Sequence, residues 1–100
     1  MDKRQLIIHM LRQLDEQSLS IQQVGAGYYS CIPFARRFNK LLSEARTLFT
    51  ATDGLIGTFE EIAEFDPKDP GDKMKIIQGI RVEINQLIAL LEAAGEDGGQ

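Results

Sequence analysis

The chain has 100 residues, of which 43% are hydrophobic and 26% are charged, and its net charge at pH 7 is −4. This length suits a single domain with one modest hydrophobic core, which we place at residues 1–94. The single cysteine, Cys31, excludes an intrachain disulfide. An excess of Asp and Glu over Lys and Arg argues against general nucleic-acid binding, which requires positive charge.

No targeting or membrane segment is apparent near the N-terminus. The apolar run that begins at Leu6 is interrupted by His9 and Arg12, whereas a secretory signal needs about 7–15 apolar residues in its central region. No stretch of the sequence approaches the roughly 20 apolar residues that a membrane-spanning helix requires. We therefore predict a cytoplasmic protein without a membrane partner.

Hydrophobic residues at the start of the chain recur with helical spacing. Ile7, Met10 and Leu14 are separated by three and four residues, which is typical of one face of a helix. The glycines at positions 25 and 27 are expected to end this helix, because glycine readily adopts the left-handed backbone conformation found at helix C-termini. The sequence predicts a first helix over residues 2–24.

A second helix is predicted to begin at Pro33, because proline suits the first turn of a helix. Apolar spacing continues from there to Ile62 and keeps its register across Gly54 and Gly57. We therefore predict one long helix over residues 33–65, with a kink near Gly54. A complete break at Gly54 would instead give a four-helix bundle.

The third helix is predicted over residues 70–94. Asp69 is a natural N-cap and Pro70 a natural first-turn residue. Gly95 is expected to end the helix, and residues 95–100 are predicted to form a disordered tail. Together the three segments predict an all-α fold, an antiparallel bundle of three long helices. The apolar seam of the last helix consists of Ile77, Ile80, Ile84, Leu87 and Leu91.

An acidic string lies at the end of the predicted long helix. Glu60 and Glu64 would share one helix face, and paired carboxylates suit a hard cation such as Mg²⁺. With Glu61, they form a string that resembles the EExxE motif of the all-α MazG-type nucleotide pyrophosphohydrolases. The resemblance implies a metal-dependent enzyme with Glu83 as a further ligand, although Gln86 stands where that family has a second carboxylate. We favour a solvated acidic face over an enzymatic role, and no cofactor is predicted.

A basic patch is predicted at the start of the second helix. Arg36, Arg37 and Lys40 lie close together there, and backbone N–H groups at a helix N-terminus also favour an anion. One interpretation is an anion- or phosphate-binding module. The other is neutralisation within the chain, by Asp15 and Glu16 of the first helix, and we favour this second interpretation.

The unequal lengths of the predicted helices suggest a function. A helix over residues 33–65 is longer than its neighbours, so part of its apolar stripe would remain uncovered, and such patches usually mark interfaces. We therefore predict a small, non-enzymatic helical interaction protein that self-associates or binds a partner helix. In a two-fold homodimer, Leu42, Phe49 and Ile56 would form the apolar centre of the interface.

Overall fold

A computed structural model describes residues 2–25, 30–49 and 54–98 of the chain. Helix α1 spans Lys3–Val24, helix α2 spans Ile32–Arg46 and helix α3 spans Pro70–Gly98. A short 3-10 turn, Ile56–Thr58, lies between α2 and α3, and residues 59–66, which we name the strap, are irregular and non-helical. The three helices pack against one another. The predicted all-α bundle of three helices is confirmed.

Both ends of α1 follow from local side-chain and backbone chemistry. The Asp2 carboxylate accepts a hydrogen bond from the Gln5 backbone N–H at 2.8 Å. The Gln5 side chain accepts one in return from the Asp2 backbone N–H at 3.4 Å, which completes a capping box. At the other end, Gly25 has a φ of 123°, a value that favours glycine. The predicted bounds of this helix are confirmed.

The buried face of α1 is rotated slightly from the predicted stripe. Leu11 and Ser18 are fully buried, whereas Val24 is 70% exposed. The Ser18 hydroxyl donates a hydrogen bond to the Leu14 carbonyl oxygen at 2.8 Å, so its polar group is satisfied without water. The buried face of α1 therefore includes a serine, which a pattern of apolar residues could not reveal.

Helix α2 ends at Arg46, so the prediction of one long helix over residues 33–65 is wrong. Just after the helix, the backbone hydrogen bonds join residues three apart rather than four, as in a 3-10 turn. The Leu48 N–H donates to the Ala45 carbonyl, and the Phe49 N–H donates to the Arg46 carbonyl. Thr52 and Asp53, which the prediction also included, lie outside the described residues. The four-helix alternative is not found either, because the chain after the 3-10 turn enters the strap rather than a fourth helix.

The strap carries the chain back along α2 before α3 begins. Helix α1 is antiparallel to α2, as the ion pair between Lys3 and Glu44 at 2.9 Å shows. It is also antiparallel to α3, as the pair between Asp15 and Arg81 at 2.9 Å and the hydrogen bond from Arg4 to the Leu91 carbonyl show. Helices α2 and α3 are consequently parallel to each other, with the strap running back along α2.

The predicted interface strip lies within the core or against it. Leu42 is fully buried, Ile56 is only 7% exposed and Phe49 packs against the core as a partly buried residue. The strip was expected to be exposed because the long helix was expected to project beyond its neighbours. Since the chain instead turns back after Phe49, these side chains contact their own bundle. Leu42, Phe49 and Ile56 therefore do not form the exposed strip that the dimer prediction assumed.

Helix α3 begins as predicted and ends later. The Asp69 carboxylate accepts a hydrogen bond from the Asp72 N–H at 3.0 Å and caps the helix. The helix then continues through Gly95 to Gly98, so the predicted end at Gly95 is wrong. A single glycine costs about 1 kcal/mol in a helix interior, which is too little to force an end. Residues 99 and 100 of the predicted tail lie outside the described residues.

The predicted seam of α3 is confirmed. Its five members are each at most 1% exposed, and they form the centre of the core with residues of the other two helices: Ile77, Ile80, Ile84, Leu87 and Leu91. Across the described ranges, no helix combines the length and the apolar character needed to cross a bilayer.

Candidate functional site

The strap is attached to α2 mainly through its backbone. The Asn39 side chain donates a hydrogen bond to the Ile62 carbonyl at 2.8 Å and accepts one from the Ile62 N–H at 2.8 Å. Arg46 donates a hydrogen bond to the Phe59 carbonyl at 2.7 Å. These bonds satisfy peptide groups that would otherwise be unpaired in a non-helical segment against the core. Asn39 is therefore the central link between α2 and the strap.

A shallow groove of about 790 Å³ lies between α2 and the strap. Two of the predicted anion-binding residues, Arg36 and Lys40, line it, whereas Arg37 does not. Arg36 forms an ion pair with Glu64 at 3.1 Å, and Glu61 lines the groove as well. Two cations thus face two carboxylates, a charge balance that does not favour a free anion.

The neutralising partners differ from those predicted. Asp15 pairs with Arg81 at 2.9 Å and accepts a hydrogen bond from Asn85 at 3.2 Å, both on α3. Asp15 therefore faces α3 rather than the start of α2, and the predicted pairing of Asp15 with Arg36 is wrong. The partner of Arg36 comes from the strap, whose return along α2 the sequence did not indicate.

The acidic string is not arranged as the resemblance implied. Glu60, Glu61 and Glu64 lie on the strap rather than on a helix, so the four-residue spacing no longer places two carboxylates on one face. Glu83 lies on α3. Among the residues of the described ranges, no three His, Cys, Asp or Glu side chains are close enough to hold a metal ion together. The EExxE resemblance therefore lacks the helix on which its metal site depends.

The far end of the strap is fixed by a polar cluster around Asp66. The Lys73 ammonium lies 2.7 Å from an Asp66 carboxylate oxygen, and the same oxygen accepts a hydrogen bond from the Cys31 backbone N–H at 3.0 Å. Lys73 is only 8% exposed. One carboxylate thus joins the strap to the starts of both α2 and α3.

The ionisation of Asp66 and Cys31 fits a structural role for this cluster. Hydrogen bonds from the Lys73 ammonium and the Cys31 N–H lower the pKa of Asp66 below its usual value of 3.8. Burial of the Cys31 thiol, followed by the neighbouring negative charge of Asp66, raises the pKa of Cys31. The thiol therefore stays protonated at neutral pH. A buried, protonated thiol suits a structural role rather than that of a reactive thiolate.

The Asp66 cluster predicts an acid-sensitive contribution to stability. Because its folded-state pKa lies below 3.8, the stabilisation is fully present above about pH 4 and is lost as the pH falls through the folded-state value. We expect Asp66→Asn to lose this part of the pH dependence while keeping the hydrogen bond from Cys31. Urea unfolding of both proteins between pH 7 and pH 2.5 measures the difference. Parallel curves for the two proteins would contradict this role of Asp66.

An apolar groove of about 410 Å³ lies at the opposite end of α2. Leu55 is 69% exposed and Leu48 is 37% exposed at this groove, while Phe49 and Leu90 are partly buried. Ala93 and Ala94 of α3 complete its wall. Small side chains beside exposed leucines leave a concave apolar surface open to solvent. We name this surface the end groove.

No family model, curated protein or solved structure matches this chain. The geometry of the chain itself therefore carries the functional argument, and the end groove and the α2–strap contact are its two principal surfaces. His9, the single histidine of the sequence, is exposed on α1 and contributes to neither of them.

Proposed function

We propose that this protein is a small, non-enzymatic helical interaction protein and that it self-associates through the end groove. The observation that carries the proposal is the exposure of Leu55 and Leu48 at a concave apolar surface. Adjoining exposed apolar side chains in a concave surface are a form that binding sites in soluble proteins take. The proposal retains the homodimer and the cytoplasmic location predicted from the sequence, and it moves the interface from Leu42, Phe49 and Ile56 to the end groove.

A second copy is the occupant that suits this surface. In a two-fold dimer the same patch serves both subunits, so it must be complementary to itself. The end groove meets this requirement, because a projecting residue, Leu55, adjoins the concave wall formed by Leu90, Ala93 and Ala94. Leu55 of each copy can enter the groove of the other copy, so that both leucines are buried together.

The two alternative functions receive less support. The basic residues Arg36 and Lys40 share their groove with Glu61 and Glu64, which offsets the positive charge needed to hold an anion. The MazG-like alternative requires acidic residues on a helix that is absent. Self-association through the end groove requires no element beyond those that already form this surface.

The proposal predicts a dimer that one charge substitution dissociates. The wild-type chain should sediment at twice its monomer mass of 11.2 kDa at about 100 µM. Leu55→Glu should sediment as a monomer, because it places a charge in an apolar contact. Val82→Glu is the matched control, since Val82 is 50% exposed on α3 and does not line the end groove. It should remain dimeric.

Two results of sedimentation would count against the proposal. A wild-type chain that remains monomeric at this concentration would eliminate self-association, and a partner helix would then be the occupant to seek. A dimer that survives Leu55→Glu would place the interface elsewhere on the bundle. Circular dichroism of each variant establishes that the helices remain intact, so that a change in mass reports on association alone.

A further inference from the structure

The strap lies on α2 in the manner of a bound peptide. Asn39 holds both peptide groups of Ile62, and Arg46 holds the carbonyl of Phe59. Backbone contacts of this kind accept any residue that adopts the same conformation. Sequence preference comes instead from the partly buried side chains of Phe59 and Ile62, which are three residues apart, and from the ion pair of Glu64 with Arg36.

The carboxylates of the strap neutralise only part of the positive charge on α2. Arg36, Lys40 and Arg46 give this face three positive charges, but among the described residues only Arg36 has a carboxylate partner there. Arg46 donates to a carbonyl oxygen. Glu61 lines the same groove as Lys40, but the described residues show no ion pair between them, and Glu60 is exposed to solvent. A segment with carboxylates placed opposite Lys40 would complement the face better than the strap does.

The middle of the strap is also weakly attached. It lies between two firm anchors, the buried Ile56 before it and the ion pair of Asp66 with Lys73 after it. Between these anchors most side chains are exposed, including Phe65 at 60%. Segments with few buried apolar contacts open locally at a small free-energy cost. Opening of the strap between these anchors therefore exposes only two partly buried apolar side chains, Phe59 and Ile62.

We propose that the α2 face formed by Arg36, Asn39, Lys40 and Arg46 binds an extended acidic segment of a partner protein, and that the strap occupies this face until the partner displaces it. The partner segment has two apolar residues three positions apart and carboxylates that reach Arg36 and Lys40. Its backbone takes the place of Ile62 at Asn39. This surface is separate from the end groove and does not depend on self-association.

The strap has the advantage of being tethered to the face that it covers. A tether gives an effective concentration in the millimolar range for short flexible links, so a free peptide of identical sequence should bind the wild-type chain weakly. Weakening the strap within the chain removes this competition, and the same peptide should then bind more tightly. This difference provides a direct test.

The probe is a fluorescein-labelled peptide with the sequence of residues 58–67, titrated with the full chain and followed by fluorescence anisotropy. Ile62→Ser weakens the strap and leaves α2 unchanged, so we expect at least about a tenfold lower Kd than for the wild type. Ile76→Ser is the matched control, because Ile76 is also partly buried against the core but lies on α3 outside the strap. It should bind like the wild type.

Asn39→Ala added to Ile62→Ser should abolish the gain, because the bonds to the peptide backbone are then lost. Circular dichroism establishes that each variant is folded, and hydrogen exchange of the wild type should show faster exchange at residues 60–65 than in α2. If folded Ile62→Ser binds no more tightly than Ile76→Ser, or if the gain survives Asn39→Ala, the proposal is wrong. If the peptide instead dissociates a wild-type dimer, the occupant is the strap of a second copy, and the partner-protein proposal is overturned.

Discussion

Replacing Ile84 with alanine is expected to lower the free energy of unfolding by about 2–5 kcal/mol. Ile84 is fully buried at the centre of the α3 seam, so truncation removes apolar contacts and leaves a cavity that rigid neighbouring helices cannot close. Urea unfolding measures the change as a shift of the transition midpoint at constant slope.

Val82→Ala is the control for this measurement. Val82 lies two residues away on the same helix and is 50% exposed, so its truncation should have a much smaller effect. A loss below about 0.5 kcal/mol for Ile84→Ala, within the range typical of surface substitutions, would show that the seam does not form the core.

Leu42→Glu is expected to abolish cooperative unfolding at pH 7. The fully buried Leu42 side chain would be replaced by a carboxylate, and burial of an unpaired charge is strongly unfavourable. Leu42→Met keeps the volume and apolar character and should cost less than about 1.5 kcal/mol. Thermal unfolding followed by circular dichroism distinguishes the two variants.

The same charge at Leu55 should leave the monomer folded, because Leu55 is exposed. The contrast tests the revised placement of the interface. If Leu42→Glu were a folded monomer and Leu42→Met a dimer, Leu42 would be an interface residue as the sequence first indicated, and its burial within one chain would be contradicted.

Local chemistry explains why α1 and the start of α3 were predictable. Asp2 and Asp69 accept hydrogen bonds from the first-turn N–H groups of their helices, and Gly25 adopts the backbone that ends α1. These signals depend on residues within four positions of each helix end. The seam of α3 was equally clear, because five buried residues with regular spacing lie on one continuous helix.

The second helix was mispredicted because apolar spacing has more than one structural origin. Ile56, Phe59 and Ile62 continue the spacing of α2 and pack against the same core, but they do so from a 3-10 turn and a strap. Apolar residues three positions apart can face the core either from one continuous helix or from a turn followed by an irregular segment. The helix ends at Arg46, well before Gly54, so the apolar register that continues across the glycines did not indicate a continuous helix.

The polar contacts of the candidate sites depend on distant parts of the chain. Asn39 contacts Ile62 and the Cys31 N–H contacts Asp66 only because the strap returns along α2. A mid-helix asparagine is a weak signal that a side chain has a specific partner, since asparagine is a poor helix former. The burial of Lys73 has no comparable signal in the sequence. The end groove likewise required the position of Leu55, which lies just before the 3-10 turn and far along the chain from Leu90.

The antiparallel pairing of α1 with α3 imposes an order on folding during synthesis. Helix α1 is made before α3, yet the residues that pair with Asp15 and receive Arg4 lie beyond Pro70. Until α3 leaves the ribosome, α1 has only α2 to cover its apolar face. Contacts between segments so far apart in sequence slow folding, and uncovered apolar faces invite association with other chains. We therefore expect the nascent chain to be most prone to aggregation before residues 70–98 emerge.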